Sequence, residues 1–184
     1  MPTAAALPRR HLAGNDASMK IVLRWPQCNA SYAAAEGAPR PLILDTNMVL
    51  DLLVFNDPAI APVRELLALG AVRWIADGAQ RVELERVLTY PQIAPRVAFH
   101  GLSQEGVLAA FDAGVRYLPE APAIRMVCKD PDDQHFLTLA AQHQALLLSK
   151  DKAVLTLRKR LAGLGATVGN VLLLAPAEEA VAQA

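Results

Sequence analysis

From Pro41 onward, short apolar runs alternate with longer stretches of helical period, and this alternation restricts the fold more than any other feature of the chain. "PLIL", "VRWIA", "IRMVC", "ALLLS", "ATV" and "NVLLL" read as strands. Between them run "NMVLDLLV", a helix opening at Asp57-Pro58 that carries Val63, Leu66, Leu67 and Leu69, and "DGAQRVELERVLTY" with a core stripe of Leu84, Val87 and Leu88 closed by Pro91. Ser103 caps "QEGVLAAFDAGVRY", a later helix buries Phe136, Leu137, Leu139 and Ala140, and "KAVLTLRKRL" and "PAEEAVAQ" complete the helical stretches. "ALLLS" has the uninterrupted apolar character of a strand covered on both faces. The pattern predicts an α/β domain with a mainly parallel sheet.

A chain of 184 residues, 53% hydrophobic and 20% charged, supports one domain with its own core. The expected division is an N-terminal extension, 1–39, and one domain, 40–184. The extension is Ala- and Pro-rich and reads as flexible or partly ordered, with "KIVLRW" able to form one short strand and Met19, directly before it, a second candidate start. No apolar run reaches the roughly 18 residues of a membrane span, and the first residues lack the basic-then-apolar order of a signal peptide. Cys28 and Cys128 lie far apart without metal-ligand spacing, so a reduced, cytoplasmic chain is expected. The 18 basic and 18 acidic residues cancel, so a nucleic-acid partner must be held by a local patch or through metal ions.

Acids recur where predicted strands give way to helices: Asp45 after "PLIL", Asp151 after "ALLLS", and Asp130, Asp132 and Asp133 after "IRMVC". Each has a local explanation as a cap or first-turn acid, with Asp130, Pro131, Asp132 and Asp133 fitting N-cap, N1, N2 and N3. In a parallel sheet, however, the carboxyl ends of the strands share one edge, so these acids are expected to meet. Two carboxylates about 4 Å apart repel by about 4 kcal/mol at an effective dielectric near 20, which a divalent cation would offset. An all-oxygen set without paired His or Cys suits Mg²⁺ or Mn²⁺ rather than Zn²⁺. His135 and His143, eight apart, read as surface or half-buried helix residues. Such a site activates water for phosphodiester hydrolysis without a side-chain nucleophile, and no G-x-S-x-G, P-loop or G-x-G-x-x-G is present to suggest other chemistry.

"LILDTNMVLDLL", "RVELERVL", "CKDPDDQHFLTLAAQHQALLLSKDKAVL" and "LAPAEEAV" resemble a PIN domain of the group found as toxins in prokaryotic toxin-antitoxin pairs, over roughly Pro41 to Ala180. The resemblance implies a three-layer α/β/α sandwich and a ribonuclease that cuts single-stranded RNA with one or two Mg²⁺ or Mn²⁺ ions. It places the catalytic and metal-binding acids on Asp45, Glu83, Asp133 and Asp151. Asn47, Ser149, Asp130 and Asp132 take supporting positions. Gln134 stands where many relatives carry a further acid, which leaves open whether Asp132 or Asp133 faces the metal. Arg81 is four residues before Glu85, a spacing for an ion pair that would leave Glu83 free for metal. Lys129, Lys150 and Lys152 adjoin the acids as candidate contacts to the RNA backbone, while "RKR" at 158–160 reads as a solvated helix face. An antitoxin protein and a homodimer are partners that the resemblance implies; no membrane is.

A second reading is a PIN-like RNA-binding or interaction module that has lost turnover. A phosphoryl-accepting protein fits less well, because Asn47 stands where D-x-D phosphatases need an acid and "PLILD" lacks the acid pair of a receiver. With aromatics at 5%, the sequence marks no surface on which particular bases would stack.

Overall fold

Leu42 and Leu44 enter one core and Ile43 the other, as alternation along a strand covered on both faces requires. The protein is described by a computed structural model over residues 20–25, 39–122, 124–125, 127–129 and 131–176. The strands are β1 (Lys20–Trp25), β2 (Arg40–Leu44), β3 (Val72–Ala76), β4 (Arg116–Tyr117), β5 (Leu146–Leu148), β6 (Thr167–Gly169) and β7 (Val171–Pro176). Five of them form a sheet in the order β4-β3-β2-β5-β6, every pairing parallel, and β1 pairs in parallel with β7 in a two-stranded ribbon. "KIVLRW" is thus the strand expected of it.

On one face, Leu42, Leu44, Trp74, Leu146 and Leu148 pack under α1 (Thr46–Leu50), α2 (Ala61–Ala68), α3 (Gly78–Leu88), α4 (Ala94–Phe99) and α5 (Gln104–Gly114). On the other, Ile43, Ile75, Leu147 and Val168 pack under α6 (Gln134–His143), α7 (Lys152–Thr156) and α8 (Arg158–Ala162). The α6 residues Phe136, Leu137, Leu139 and Ala140 are fully enclosed, as their spacing predicts. The result is the expected three-layer α/β/α arrangement. Asp45, Asp57, Asp77, Ser103 and Asp151 each accept a backbone N–H at the start of a helix, a contribution of about 1 kcal/mol apiece. Among the described residues no helix is long and apolar enough to cross a membrane.

Three local readings of the sequence are corrected. The expected strand "IRMVC" is absent: Ile124, Arg125, Val127 and Cys128 are irregular, and Met126 lies outside the described residues. The edge beside β3 is instead taken by Arg116–Tyr117, with Leu118 N donating to Ala76 O at 2.8 Å. Gly114 at the end of α5 lies so close to Trp74 that an added Cβ would stand 3.0 Å from the indole, so the chain leaves α5 already against β3 and fills that edge at once. "NMVLDLLV" does not continue as one α-helix: beyond α1 it widens into a π turn, Asp51–Phe55, which ends at Asn56 in the left-handed region with its N–H bonded to Asp51 O. Asp57-Pro58 opens a 3-10 turn, Pro58–Ile60, that runs into α2. α4, with Pro95 in its first turn, was not evident from periodicity at six residues. Of "PAEEAVAQ", Pro176 ends β7 and the remaining residues lie outside the described residues, as do Cys28 and the rest of 1–19 and 26–38.

Leu147, fully buried on β5 between β2 and β6, is the middle of the second core. Leu147→Ala is expected to lower unfolding free energy by about 2–5 kcal/mol through lost burial and the cavity left behind, read as a reduced urea midpoint at unchanged m-value.

Candidate active site

Because all five sheet strands are parallel, β2, β3 and β5 deliver Asp45, Asp77 and Ser149-Lys150-Asp151 to the same edge. Asp45 N donates to Leu148 O at 3.0 Å and Ser149 N to Gly169 O at 3.0 Å, which locks the ends of β2, β5 and β6 together. Asp45 is only 4% exposed. Its Oδ1 accepts from Met48 N at 2.8 Å and its Oδ2 from Lys150 N at 2.9 Å, so one carboxylate ties the β2–α1 junction to the β5–α7 junction. Burial pushes its pKa above the ordinary carboxylate value; the Ser149 hydroxyl and the two backbone donors work against that, and the negative charge of Glu83 adds to it. Ser149, wholly buried, also accepts from Asp151 N through Oγ at 3.0 Å, joining the two acids through one hydroxyl. Asp151 caps α7 by accepting from Ala153 N.

Glu83, on α3, is brought to this edge as predicted, but not as a free carboxylate. Its Oε1 accepts from the Thr46 hydroxyl at 2.7 Å and its Oε2 lies 3.1 Å from His135 Nε2. Its side chain is 17% exposed, and that of His135 is 16% exposed. The expected Arg81–Glu85 ion pair forms at 3.5 Å, and Arg81 also bonds Asp112 at 2.9 Å.

Sequence reasoning did not single out three residues that stand among these acids. Thr46 holds Glu83, whereas Asn47, placed in the supporting role by resemblance, is exposed in the first turn of α1. His135 is placed between acids, its Nδ1 3.7 Å from Asp77 Oδ1 and its Nε2 on Glu83, although its spacing from His143 suggested no chemical role. Asp77 is the third strand-end acid, almost fully buried, and caps α3 by accepting from Gln80 N at 3.0 Å. A carboxylate directly after "VRWIA" was the available signal for it.

The aspartate cluster enters differently from its predicted cap pattern. Asp130 lies outside the described residues. Pro131–Asp133 form a 3-10 turn, and Asp133, half-buried, has helical backbone angles at the start of α6 without a capping side-chain bond. Asp132 is exposed and pairs with Arg86 at 2.9 Å on the rim of a 430 Å³ pocket that also takes in Glu83 and His135. Among the lysines, Lys129 and Lys152 are exposed, while Lys150 Nζ is bonded to Asp51 and lies 4.0 Å from Asp57.

Among the described residues no three His, Cys, Asp or Glu side chains stand together as a ready-made metal cage. The donor chemistry nevertheless fits a hard divalent cation. A buried carboxylate whose charge is disfavoured by burial and by a neighbouring glutamate is what such an ion would relieve, and each oxygen of Glu83 keeps a second lone pair beyond its present hydrogen bond, as does the oxygen of Asp45 that the Ser149 hydroxyl does not reach.

The raised pKa of Asp45 fixes the sign of a pH effect. The native state binds this proton more tightly than the unfolded state, so without metal the wild type loses stability as pH rises from the unfolded value of 3.8 through the raised native value. The stability of Asp45→Asn relative to wild type should therefore shift in the variant's favour across that window and then level off, and saturating Mg²⁺ should stabilise wild type alone. Thermal melts from pH 3.5 to neutrality, with chelator and with Mg²⁺, measure both.

A family model described as PIN domain matches residues 41–153, more than half of the chain, and spans every acid from Asp45 to Asp151. Searches of curated proteins and of solved structures return no match. The matched span holds the parallel sheet from β2 to β5 and the acids at its carboxyl edge, and the chain belongs to the PIN domain family.

Proposed function

We propose that the protein is a metal-dependent endoribonuclease that hydrolyses phosphodiester bonds of single-stranded RNA with water as nucleophile, and that it is the toxin of a toxin-antitoxin pair, acting in the cytoplasm. Membership of the PIN domain family brings a nuclease-type fold. The observation that carries the reading further is Asp45: a carboxylate held by two backbone N–H groups and a serine hydroxyl, yet destabilised in its charged form, at the edge where Glu83 also arrives. Asp45 and Glu83 would hold Mg²⁺ or Mn²⁺, one ion or two, with Asp133 and Asp151 completing the set. When bound, the metal supplies charge neutralisation and the Lewis acidity that makes water reactive at neutral pH.

The chain's own residues do the positioning. Met48, Ser149 and Lys150 fix both oxygens of Asp45. Thr46 and His135 hold the two oxygens of Glu83, and Asp77 sets the start of α3, the helix that carries Glu83. Asn47, Asp130 and Asp132 take the supporting positions in this reading. Lys129 and Lys152 are the exposed cations for the RNA backbone, with Lys150 serving Asp51 first. Residues 40–184 constitute the nuclease domain and 1–39 an extension that adds β1 to β7. The antitoxin is a separate chain, and the enzyme works as a homodimer in this reading.

A PIN-like binding module without turnover is the second reading, favoured by one observation: both Glu83 oxygens are engaged by Thr46 and His135. Cleavage of a mixed-sequence single-stranded RNA with Mn²⁺, with Mg²⁺ and with EDTA separates the two. Metal-dependent cutting that Asp45→Asn lowers by about a hundredfold or more supports the nuclease. No cutting under any metal, by folded protein free of antitoxin, supports the module.

Thr46→Val and His135→Ala each remove one support of Glu83 and are expected to lower metal affinity or turnover about 10- to 100-fold. The readout is the Mn²⁺ concentration for half-maximal rate, which a merely structural role would leave unmoved.

A further inference from the structure

The boundary between β2 and β5 is where the topology changes direction. From β2 the chain passes through α1 and α2, on one face of the sheet, to β3; from β5 it passes through α7 and α8, on the other face, to β6. Helices that diverge to opposite faces leave a crevice above the strand ends, the habitual ligand position of open parallel sheets. Here it is a pocket of about 620 Å³, bounded by α1, the 3-10 turn before α2, α7 and the β6–β7 junction. That volume lies within the roughly 300–1,000 Å³ of small-molecule sites.

The pocket adjoins the acids directly. Met48 and Lys150 both line it, and these are the residues whose N–H groups hold the two oxygens of Asp45. Met48, Ile60, Leu155 and Val171 give it apolar walls. Its polar contribution is asymmetric. The charge of Asp51 is met by Lys150. Lys152 lies exposed at the lining, and Asn170, directly after β6, has a buried side-chain oxygen with no hydrogen-bond partner among the described residues. A buried amide oxygen left unbonded is costly and calls for an N–H donor. Apolar lining residues, one unmet acceptor and an exposed cation match an unpaired nucleobase with flat apolar faces, N–H groups on its edge and a phosphate attached. A protein side chain would fill the walls without answering both Asn170 and Lys152.

We infer that this crevice binds one unpaired nucleobase of the RNA strand, adjacent to the phosphate held at Asp45 and Glu83, with Asn170 reading the base edge. The inference rests on the ribonuclease reading and adds a determinant of sequence preference to it, since single-stranded RNA is distinguished through splayed-out bases.

The test uses the full chain with AMP, CMP, GMP and UMP as probes in EDTA, followed by backbone amide shifts, together with Mn²⁺-dependent cleavage of the four homopolymeric RNAs. Ala59→Trp fills the pocket from an exposed position, and Asn170→Ala removes the edge contact. Saturable shifts at Ile60, Leu155 and Val171 are expected with at least one monophosphate, weakened about tenfold by Ala59→Trp. Cleavage by Ala59→Trp should show a KM raised by about tenfold with kcat nearly unchanged, and Asn170→Ala should level the preference among homopolymers. The base site is overturned if no monophosphate perturbs the crevice, if the shifts map only to Gly78, Val82 and Arg86 on the other side of the acids, or if KM is indifferent to Ala59→Trp. Cleavage with such an indifferent KM retains the nuclease and removes the base site. Crevice binding without cleavage in any metal retains a nucleotide site and removes the nuclease.

Discussion

The carboxylate of Asp45 is the joint on which this edge of the molecule depends. It accepts one hydrogen bond from the helix that follows β2 and another from the chain that follows β5, so the central strand pair and the two helical layers meet at a single side chain. A neutral cap would satisfy the first of these donors. Two donors from different segments, together with the Ser149 hydroxyl, are better satisfied by a carboxylate, which accepts at both oxygens. That choice places a charge in a nearly water-free position beside Glu83, and both burial and that neighbour push the pKa of Asp45 up. Local capping and global electrostatics therefore pull in opposite directions here, as is common where a fold carries chemistry.

The acids around it are graded by how the fold has already committed them. Asp77 and Asp151 each spend an oxygen on a helix start, Asp132 reaches outward to Arg86, and Lys150 neutralises Asp51. Glu83 is held at both oxygens by side chains, Thr46 and His135, which can change partners without unravelling a helix. Adjustment of Glu83 toward a cation, with Thr46 and His135 still supporting it, would thus cost little backbone order, whereas moving Asp45 would disturb two junctions at once. One acid is a rigid anchor and the other an adjustable arm.

Much of this was legible from residue patterns because the relevant physics is local. The uninterrupted apolar run "ALLLS" marked a strand covered on both faces, as Leu147 in one core and Leu146 and Leu148 in the other show, and the period of α6 singled out Phe136, Leu137, Leu139 and Ala140. Asp45 was found by its position at a strand end, and Glu83 and the PIN character by resemblance. What escaped was set by distance in space. Arg116 and Tyr117 form a strand of two exposed residues, with no alternation to detect, because Gly114 lets α5 close on Trp74. "IRMVC" has strand composition but finds that edge already taken. His135 was judged by its spacing on its own helix, whereas its partners come from α3 and the end of β3. Asp77 was absorbed into a helix start, which it is, while also being the acid that the parallel topology required at the end of β3.

The same topology separates two environments that the sequence runs together. On the β3 side of Asp45, the pocket edged by Arg86 and Asp132 is lined by charged and small residues; on the β6 side, the crevice has hydrocarbon walls. A strand of RNA drawn across Asp45 would therefore meet solvent-facing charge on one side and enclosure on the other. Backbone phosphates are recognised without regard to sequence, bases by shape and hydrogen-bonding edge. Under the proposed function Lys152 at the crevice would meet the backbone and the apolar lining the base, whereas on the other side Arg86 is tied to Asp132. Met48 and Lys150 line the crevice while their N–H groups hold Asp45 at both oxygens, so a base seated there would lie next to the acid and set the affinity for the strand while the carboxylate stays fixed.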